Sequence, residues 1–326
     1  MRAEMPLSLL YTLPPVSILS RTLSLNTSKI SVRSTSLIVM GIIMKIKIAL
    51  AQFNTKLGDV RANLEKHLEL IDQAHQQGAD LVLFPELSLT GYALQDLAVE
   101  TAIRPDQDDP VFNELLAASR NLDLTVGFVH EDHRHRFYIA SAYLSEGKIC
   151  HIHNKIYLPT YGMFDEGRFF APGDSVRAFD TRFGRVGMLI CEDFWHASLP
   201  YLLWLDGADI LLFASASPGR GLTQDARLSS SEWVEHTNRA YAGLFTNFVA
   251  HANRVGYEDG LNFWGGSTIF DPNGDLVVRV PDFESKLVIA EIDLNQLHRS
   301  RARLPLLRDE RTVLVARELE RILGES

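Results

Sequence analysis

Residues 45–86 read KIKIALAQFNTKLGDVRANLEKHLELIDQAHQQGADLVLFPE, and this stretch decides the fold class. Lys45–Phe53 begins by alternating lysine with isoleucine, which is the pattern of a strand. A helical run follows over Asp59–Gln77, with Leu64, Leu68, Ile71 and His75 on one stripe and Gly78 as its stop. Leu81–Phe84 is a short apolar strand that ends at Pro85-Glu86. Strands that alternate with helices in this way signal an α/β protein.

The alternation continues along the chain. Pro110–Arg120 reads as a helix, Thr125–His130 as a strand, and Phe137–Leu144 with Lys148–Asn154 as a hairpin around Glu146-Gly147. Residues 155–182 are irregular and rich in aromatics and glycine, and loops that long in compact domains are often functional. Arg185–Ile190, Asp209–Ala214 and Phe245–Ala252 read as strands, with helices over Leu199–Asp206 and Asp225–Ala242 between them. Gly266–Phe270 and Leu276–Val280 pair across the turn Asp271-Pro272-Asn273-Gly274, and Leu287–Asp293 is the last long strand. A charged, partly helical tail follows from Gln296. No repeat or linker divides this body, so residues 45–326 are expected to form one α/β domain.

Composition narrows the function classes. A 46% hydrophobic and 22% charged chain of 326 residues is ordinary globular material, which rules out wholesale disorder. The formal charge of -9 argues against a nucleic-acid binder, which would present a basic face. No uncharged apolar run is long enough for a transmembrane helix, so no membrane partner is expected. Two cysteines, Cys150 and Cys191, cannot make a disulfide scaffold. A reducing, cytoplasmic setting is therefore expected, with Cys150 read as packing on its strand.

Residues 1–44 are a different material, with eight Ser, four Thr, four basic residues and one acid. That composition fits an organelle transit segment, and prolines in the apolar stretch speak against a secretory signal. The plainer expectation is an over-extended reading frame whose true start is Met44.

Three polar residues stand where strands should end: Glu86 after Leu81–Pro85, Lys155 after Ile149–Asn154, and Cys191 after Val186–Ile190. In α/β sheets, strand ends are where sites are assembled. A thiol becomes a nucleophile when a base takes its proton or a cation stabilises the thiolate, and a carboxylate and a lysine supply those needs. Alone, each residue has a plain reading: a small buried side chain for Cys191, solvated strand ends for the other two. His130, His133 and His135 cluster with Glu131 and Asp132, and His151 and His153 share a strand. Their order matches no familiar zinc spacing, so no metal or other cofactor is expected.

The segments Phe84–Tyr92, His153–Pro159 and Gly187–Asp193, in that order, resemble the nitrilase superfamily, also called the carbon-nitrogen hydrolases. Ala51-Gln52 and Gly265–Ser267 add to the resemblance, which covers about residues 45–310. It implies a four-layer α-β-β-α sandwich, often paired into dimers, so a homo-oligomer is expected, with the tail from Gln296 contributing. It also implies Cys191 as nucleophile, Glu86 as general base and acid, and Lys155 as stabiliser of the oxyanion together with the Glu192 backbone N–H. Glu166 would be the second glutamate that orients Lys155 and the substrate. The resemblance is strongest to the glutaminase domain of glutamine-dependent NAD synthetases, on Tyr161–Phe170, Gly91-Tyr92 with Gln95–Leu97, and Ala214–Pro218. On that pattern Tyr92, Tyr161, Phe164, Glu166 and Ser217 line a pocket for a glutamine-like amide. Arg220 and Arg227, beyond the Ser-Pro loop, are candidates to meet a substrate carboxylate bidentately. No phosphate-binding glycine loop follows in this sequence, so the expectation is a stand-alone amidase or a supplier of ammonia to a separate synthetase. Glu192 follows the cysteine where true nitrilases usually have Trp, which favours an amide over a nitrile. A carbamoyl substrate stays open, as does a non-catalytic interaction subunit that kept the fold.

Overall fold

The computed structural model describes residues 45–106, 108–221 and 228–325, all within one compact unit that spans 43–326. The expectations for residues 1–44 lie outside the described residues. The first elements are β1 (Lys45–Gln52), α1 (Val60–Gln76), β2 (Leu81–Leu83), α2 (Ala98–Thr101), α3 (Pro110–Ala118), β3 (Asp123–Glu131), β4 (Phe137–Ser145) and β5 (Lys148–Asn154). Next come β6 (Phe179–Thr181), β7 (Gly184–Ile190), α4 (Ser198–Leu205), β8 (Ile210–Ser215), α5 (Ser229–Phe245) and β9 (Phe248–Asn253). Then follow β10 (Val255–Glu258), β11 (Leu261–Trp264), β12 (Thr268–Phe270), β13 (Leu276–Arg279), β14 (Lys286–Asp293), α6 (Asn295–Arg303), α7 (Leu306–Asp309) and α8 (Thr312–Glu325).

Two six-stranded sheets carry the fold, in the orders β14-β1-β2-β3-β4-β5 and β13-β12-β9-β8-β7-β6. Each has three parallel strands at its centre, β1-β2-β3 and β7-β8-β9, flanked by antiparallel neighbours. Parallel strands are buried on both faces, and the two-residue period shows how. Ile46, Ile48 and Leu50 of β1 meet Val186, Met188, Ile210 and Leu212 of the other sheet in one apolar layer. Ala49, Ala51 and Phe53 face the opposite way, into a second layer under α1 and α3 with Leu64, Leu115 and Phe112. Leu189, Leu211 and Phe213 point outward from the second sheet into a third layer with Leu203 of α4 and Tyr241 of α5. The order is helices, sheet, sheet, helices: the expected α-β-β-α sandwich.

Local chemistry explains the element ends. Asp59 caps α1 by accepting from Ala62 N at 3.0 Å, and Asp109 caps α3, with Pro110 in its first turn. Some expectations shift. The buried face of α1 runs through Leu64, His67, Leu70, Ile71 and Ala74, and His75 is exposed. His67 is drawn in because its ring stacks on Phe84 and bonds Ser88 Oγ at 2.9 Å. The helix expected to end at Ala242 continues to Phe245, whose ring stacks on Trp204 and Tyr241, and Thr246 in the left-handed region then stops it. Cys150 is exposed rather than packed, because the pairing of β4 with β5 slips between Tyr143 and Leu144 and leaves Cys150 as the unpaired bulge residue. The β10–β11 hairpin was not expected at all.

Candidate active site

Four strand ends converge. The turn after β2 carries Glu86, and Leu87 beside it sits at φ +49°. The β3 backbone presses against that turn at Gly127, where a Cβ would overlap the Pro85 carbonyl and the Leu87 amide. Lys155 leaves β5 with its amide bonded to Ile139 O and its carbonyl accepting from Gly173 N, both at 2.8 Å. Cys191 is the corner between β7 and a short helical turn, Cys191–Trp195, and adopts φ +47°. A side-chain-bearing residue in that region carries about 1–3 kcal/mol of strain, sustained only where the surroundings over-determine it.

The polar groups at this convergence are buried together. Glu86, Lys155 and Glu166 are 1%, 0% and 6% exposed. Lys155 Nζ donates to Glu86 Oε1 and to Glu166 Oε1, each at 2.8 Å. Glu86 Oε2 accepts from Ala216 N, just past β8, at 2.8 Å. Tyr92 OH donates to Glu166 Oε1 at 2.6 Å. Glu166 Oε2 also lies 2.8 Å from Nζ but out of hydrogen-bonding geometry, so it has no hydrogen-bond partner among the described residues. Burial alone would lower Lys155, but the charges of Glu166 and Glu86 raise it well above the usual lysine value. Burial holds Glu166 up at about 7 against the pull of Lys155, with Glu86 adding to the rise. Burial and then Glu86 push the Cys191 thiol well above its usual value, against the pull of Lys155. The resting thiol is therefore protonated, beside the contact between Lys155 and Glu86. The apolar cluster of Leu87, Val129, Ile139, Phe170 and Ile190 around Cys191 keeps water from screening these charges.

Asp193 ties two of these strand ends together. Its Oδ1 accepts from Ile156 N at 2.9 Å and Tyr157 N at 3.0 Å, immediately after Lys155. Its Oδ2 accepts from Ile190 N at 3.1 Å, immediately before Cys191, and lies 2.8 Å from His153 Nε2. A carboxylate only accepts, so His153 Nε2 carries the proton. His151, the other strand histidine, stacks on Phe179 instead. Among the described residues no group of three or more His, Cys, Asp or Glu is placed to hold a metal ion.

Two cavities adjoin the site. The larger, about 560 Å³, has Cys191 in its wall with Tyr161, Phe164, Ser217 and Arg220. Ser217 is placed there by its amide, which donates to Asn253 Oδ1 at 2.9 Å. Tyr161 OH donates to the Glu192 carboxylate, 3.0 and 2.9 Å from its two oxygens. Partial burial and this bond push Tyr161 up to about 12, so it stays a donor at neutral pH. The smaller cavity, about 310 Å³, holds Tyr92 and Glu166, and Phe164 borders both. The structure thus lines the cavity beside Cys191 with Tyr161, Phe164, Ser217 and Arg220, and the neighbouring cavity with Tyr92 and Glu166. Arg227 lies outside the described residues.

The sequence matches the family described as Carbon-nitrogen hydrolase over residues 47–302. The chain belongs to the carbon-nitrogen hydrolase family. It is similar to the glutamine-dependent NAD(+) synthetase of Thermotoga maritima, 33% identical over 259 residues that make 77% of this chain and 43% of that one. It therefore spans less than half the length of the curated relatives it matches. Among solved structures it is similar to the glutamine-dependent NAD+ synthetase of Acinetobacter baumannii, with TM-score 0.69 and 30% identity over 78% of this chain and 46% of that chain. An amidase from Nesterenkonia sp. superposes with TM-score 0.67 and 24% identity over 83% of this chain and 98% of that one, a likeness of fold.

Two supports of this carbon-nitrogen hydrolase site were not assigned from the sequence. Asp193 and His153 stood inside the quoted motifs, yet nothing in their spacing shows that they meet. The second support is the buried pair Arg254–Glu258. Glu258 Oε1 accepts from Tyr92 N at 2.6 Å and Ala93 N at 2.7 Å, and its Oε2 from Arg254 at 2.6 Å. It fixes the loop that carries Tyr92 from the unexpected β10–β11 hairpin, and no local signal announces it.

Proposed function

We propose that this carbon-nitrogen hydrolase is an amidase that cleaves a linear ω-amide of the glutamine type, releasing a carboxylic acid and ammonia through a thioester on Cys191. The observation that carries the reading is the buried Lys155 ammonium held between Glu86 and Glu166 at 2.8 Å, next to a thiol at a strained strand end. A thiol held above its usual value needs a nearby base to take its proton, and Glu86, whose charge acts on Cys191, is that base. As Sγ attacks the amide carbon, its proton passes to Glu86, and the carbonyl oxygen becomes an oxyanion that Lys155 and the Glu192 N–H hold in a dry site. The C–N bond then breaks, the proton on Glu86 goes to the leaving nitrogen, and ammonia departs. Water gives its proton to Glu86, attacks the thioester carbon and expels Sγ, which regains the proton. Glu166 orients Lys155, with both its oxygens 2.8 Å from Nζ. Arg220 meets the substrate carboxylate, with Tyr161, Phe164 and Ser217 around it.

On this reading the ammonia leaves to solution or to a separate ammonia-using synthetase, and the protein works as a homo-oligomer in the cytoplasm. No helix among the described residues is long and apolar enough to cross a membrane. The test is ammonia release by the full chain from glutamine, other ω-amides, N-carbamoyl compounds and nitriles, with Cys191→Ala alongside. Release from an ω-amide, lost in the variant, supports the proposal. Release only from carbamoyl compounds or nitriles overturns the substrate assignment. No release from any compound favours an interaction subunit.

A further inference from the structure

The Cys191 cavity is larger and more apolar than a free amino-acid amide requires. At about 560 Å³ it falls among sites, roughly 300–1,000 Å³, that enclose drug-sized ligands. Its charged groups are few. Arg220 holds its guanidinium 4.5 Å from the centre of the Phe164 ring. That plane is ready for bidentate contact with a substrate carboxylate. Glu192 is the carboxylate lining the cavity, and both its oxygens lie at hydrogen-bond distance from Tyr161 OH. An incoming α-ammonium would share Glu192 with Tyr161 and with His196, whose Nε2 lies 3.8 Å from Oε1, and would approach the like charge of Arg220. Farther out, Trp195 and Trp233 line the same cavity while 41% and 65% exposed, and Tyr161 is 54% exposed. Large aromatics left open beside a reactive cysteine are surface for a ligand to cover.

We infer that the site takes an ω-amide whose α-nitrogen carries an apolar, ring-containing acyl group, in preference to the free amino-acid amide. The inference rests on the amidase reading above and names its substrate class. Acylation removes the α-ammonium that the cavity serves poorly. It also supplies the apolar surface that covers the Trp195 and Trp233 rings. The carboxylate stays on Arg220 and the ω-amide reaches Cys191, so the chemistry is unchanged.

The test compares ammonia release by the full chain from glutamine, N-acetylglutamine and N-phenylacetylglutamine. The expected result is a kcat/KM that rises in that order, by about 10-fold or more overall, mainly through KM. In Trp233→Ala the ratio of the phenylacetyl to the acetyl substrate falls toward one, while Trp233→Phe, which keeps a ring, retains most of it. Glutamine turned over as well as or better than the phenylacetyl compound overturns the inference and leaves the amidase reading standing. So does a ratio that Trp233→Ala does not move. No ammonia from any amide removes the amidase reading, and the inference with it.

Discussion

Replacing Asp193 by Asn tests whether one buried carboxylate sets the distance between Lys155 and Cys191. Asp193 is fully buried and takes four contacts, from Ile156 N, Tyr157 N, Ile190 N and His153 Nε2. An asparagine has one acceptor oxygen. Placed toward Ile156 and Tyr157, it keeps those two bonds, and its NH2 can donate to His153 in the other tautomer. Ile190 N then faces a donor, and a buried unsatisfied N–H costs about 1–3 kcal/mol. The retained bonds also lose their charge assistance, so the total is about 2–4 kcal/mol. For a domain of this size that lowers Tm by roughly 3–7 °C. The orphaned amide immediately precedes the strained Cys191, so the thiol shifts relative to Lys155. A displacement of ~1 Å from productive geometry costs on the order of 100-fold in rate. Assayed for ammonia release well below its Tm, Asp193→Asn should therefore lose roughly 10–100-fold in kcat with little change in KM. A variant that loses stability but keeps its kcat would refute the reasoning, because Asp193 would then support the fold and not the alignment.

Three other outcomes follow from the same geometry. Lys155→Met leaves Glu86 and Glu166 buried without their cation, so turnover should vanish and chemical denaturation should show a loss of about 3–5 kcal/mol, partly recovered by adding Glu166→Gln. Glu166 is raised from 4.5 in the unfolded chain to about 7 in the native state. Between those values the native protein holds the extra proton, so this group's contribution to stability falls as pH rises through the window. Tm measured across it should show that fall in the native protein and a flatter profile in Glu166→Gln; identical profiles would contradict the assignment. Gly127→Ala puts a Cβ into the Pro85 carbonyl and Leu87 amide, so it should destabilise by about 1–3 kcal/mol or more and depress kcat by moving Glu86, read by thermal unfolding and ammonia release.

The legible part of the molecule was the part written in local patterns. Alternation in β1 and the helical stripe after Asp59 announced an α/β chain, and most elements lie within a few residues of their expected bounds. The departures come from tertiary packing: His67 replaces His75 on the buried face of α1 because Phe84 and Ser88 are there to receive it. Phe245 stays helical because Trp204 and Tyr241 stack on it. Cys150 is turned out by a register slip that depends on two strands at once. None of these partners is near in sequence.

The same division holds at the site. Glu86, Lys155 and Cys191 could be chosen from the sequence because each ends a strand, and because together they match a family pattern. Their types and order are properties of the chain itself, and so is the class of chemistry they allow. What only the tertiary structure decided is which groups share a charge and which face a cavity. It put Lys155 between two carboxylates, placed Asp193 across two strand ends, and lined one cavity with Cys191, Tyr161 and Arg220 and its neighbour with Tyr92 and Glu166. The physical reason is range. Strand and helix signals act over a few residues, whereas the electrostatics of a buried site depend on side chains brought within about 3 Å from distant parts of the chain, where low dielectric makes each contact count.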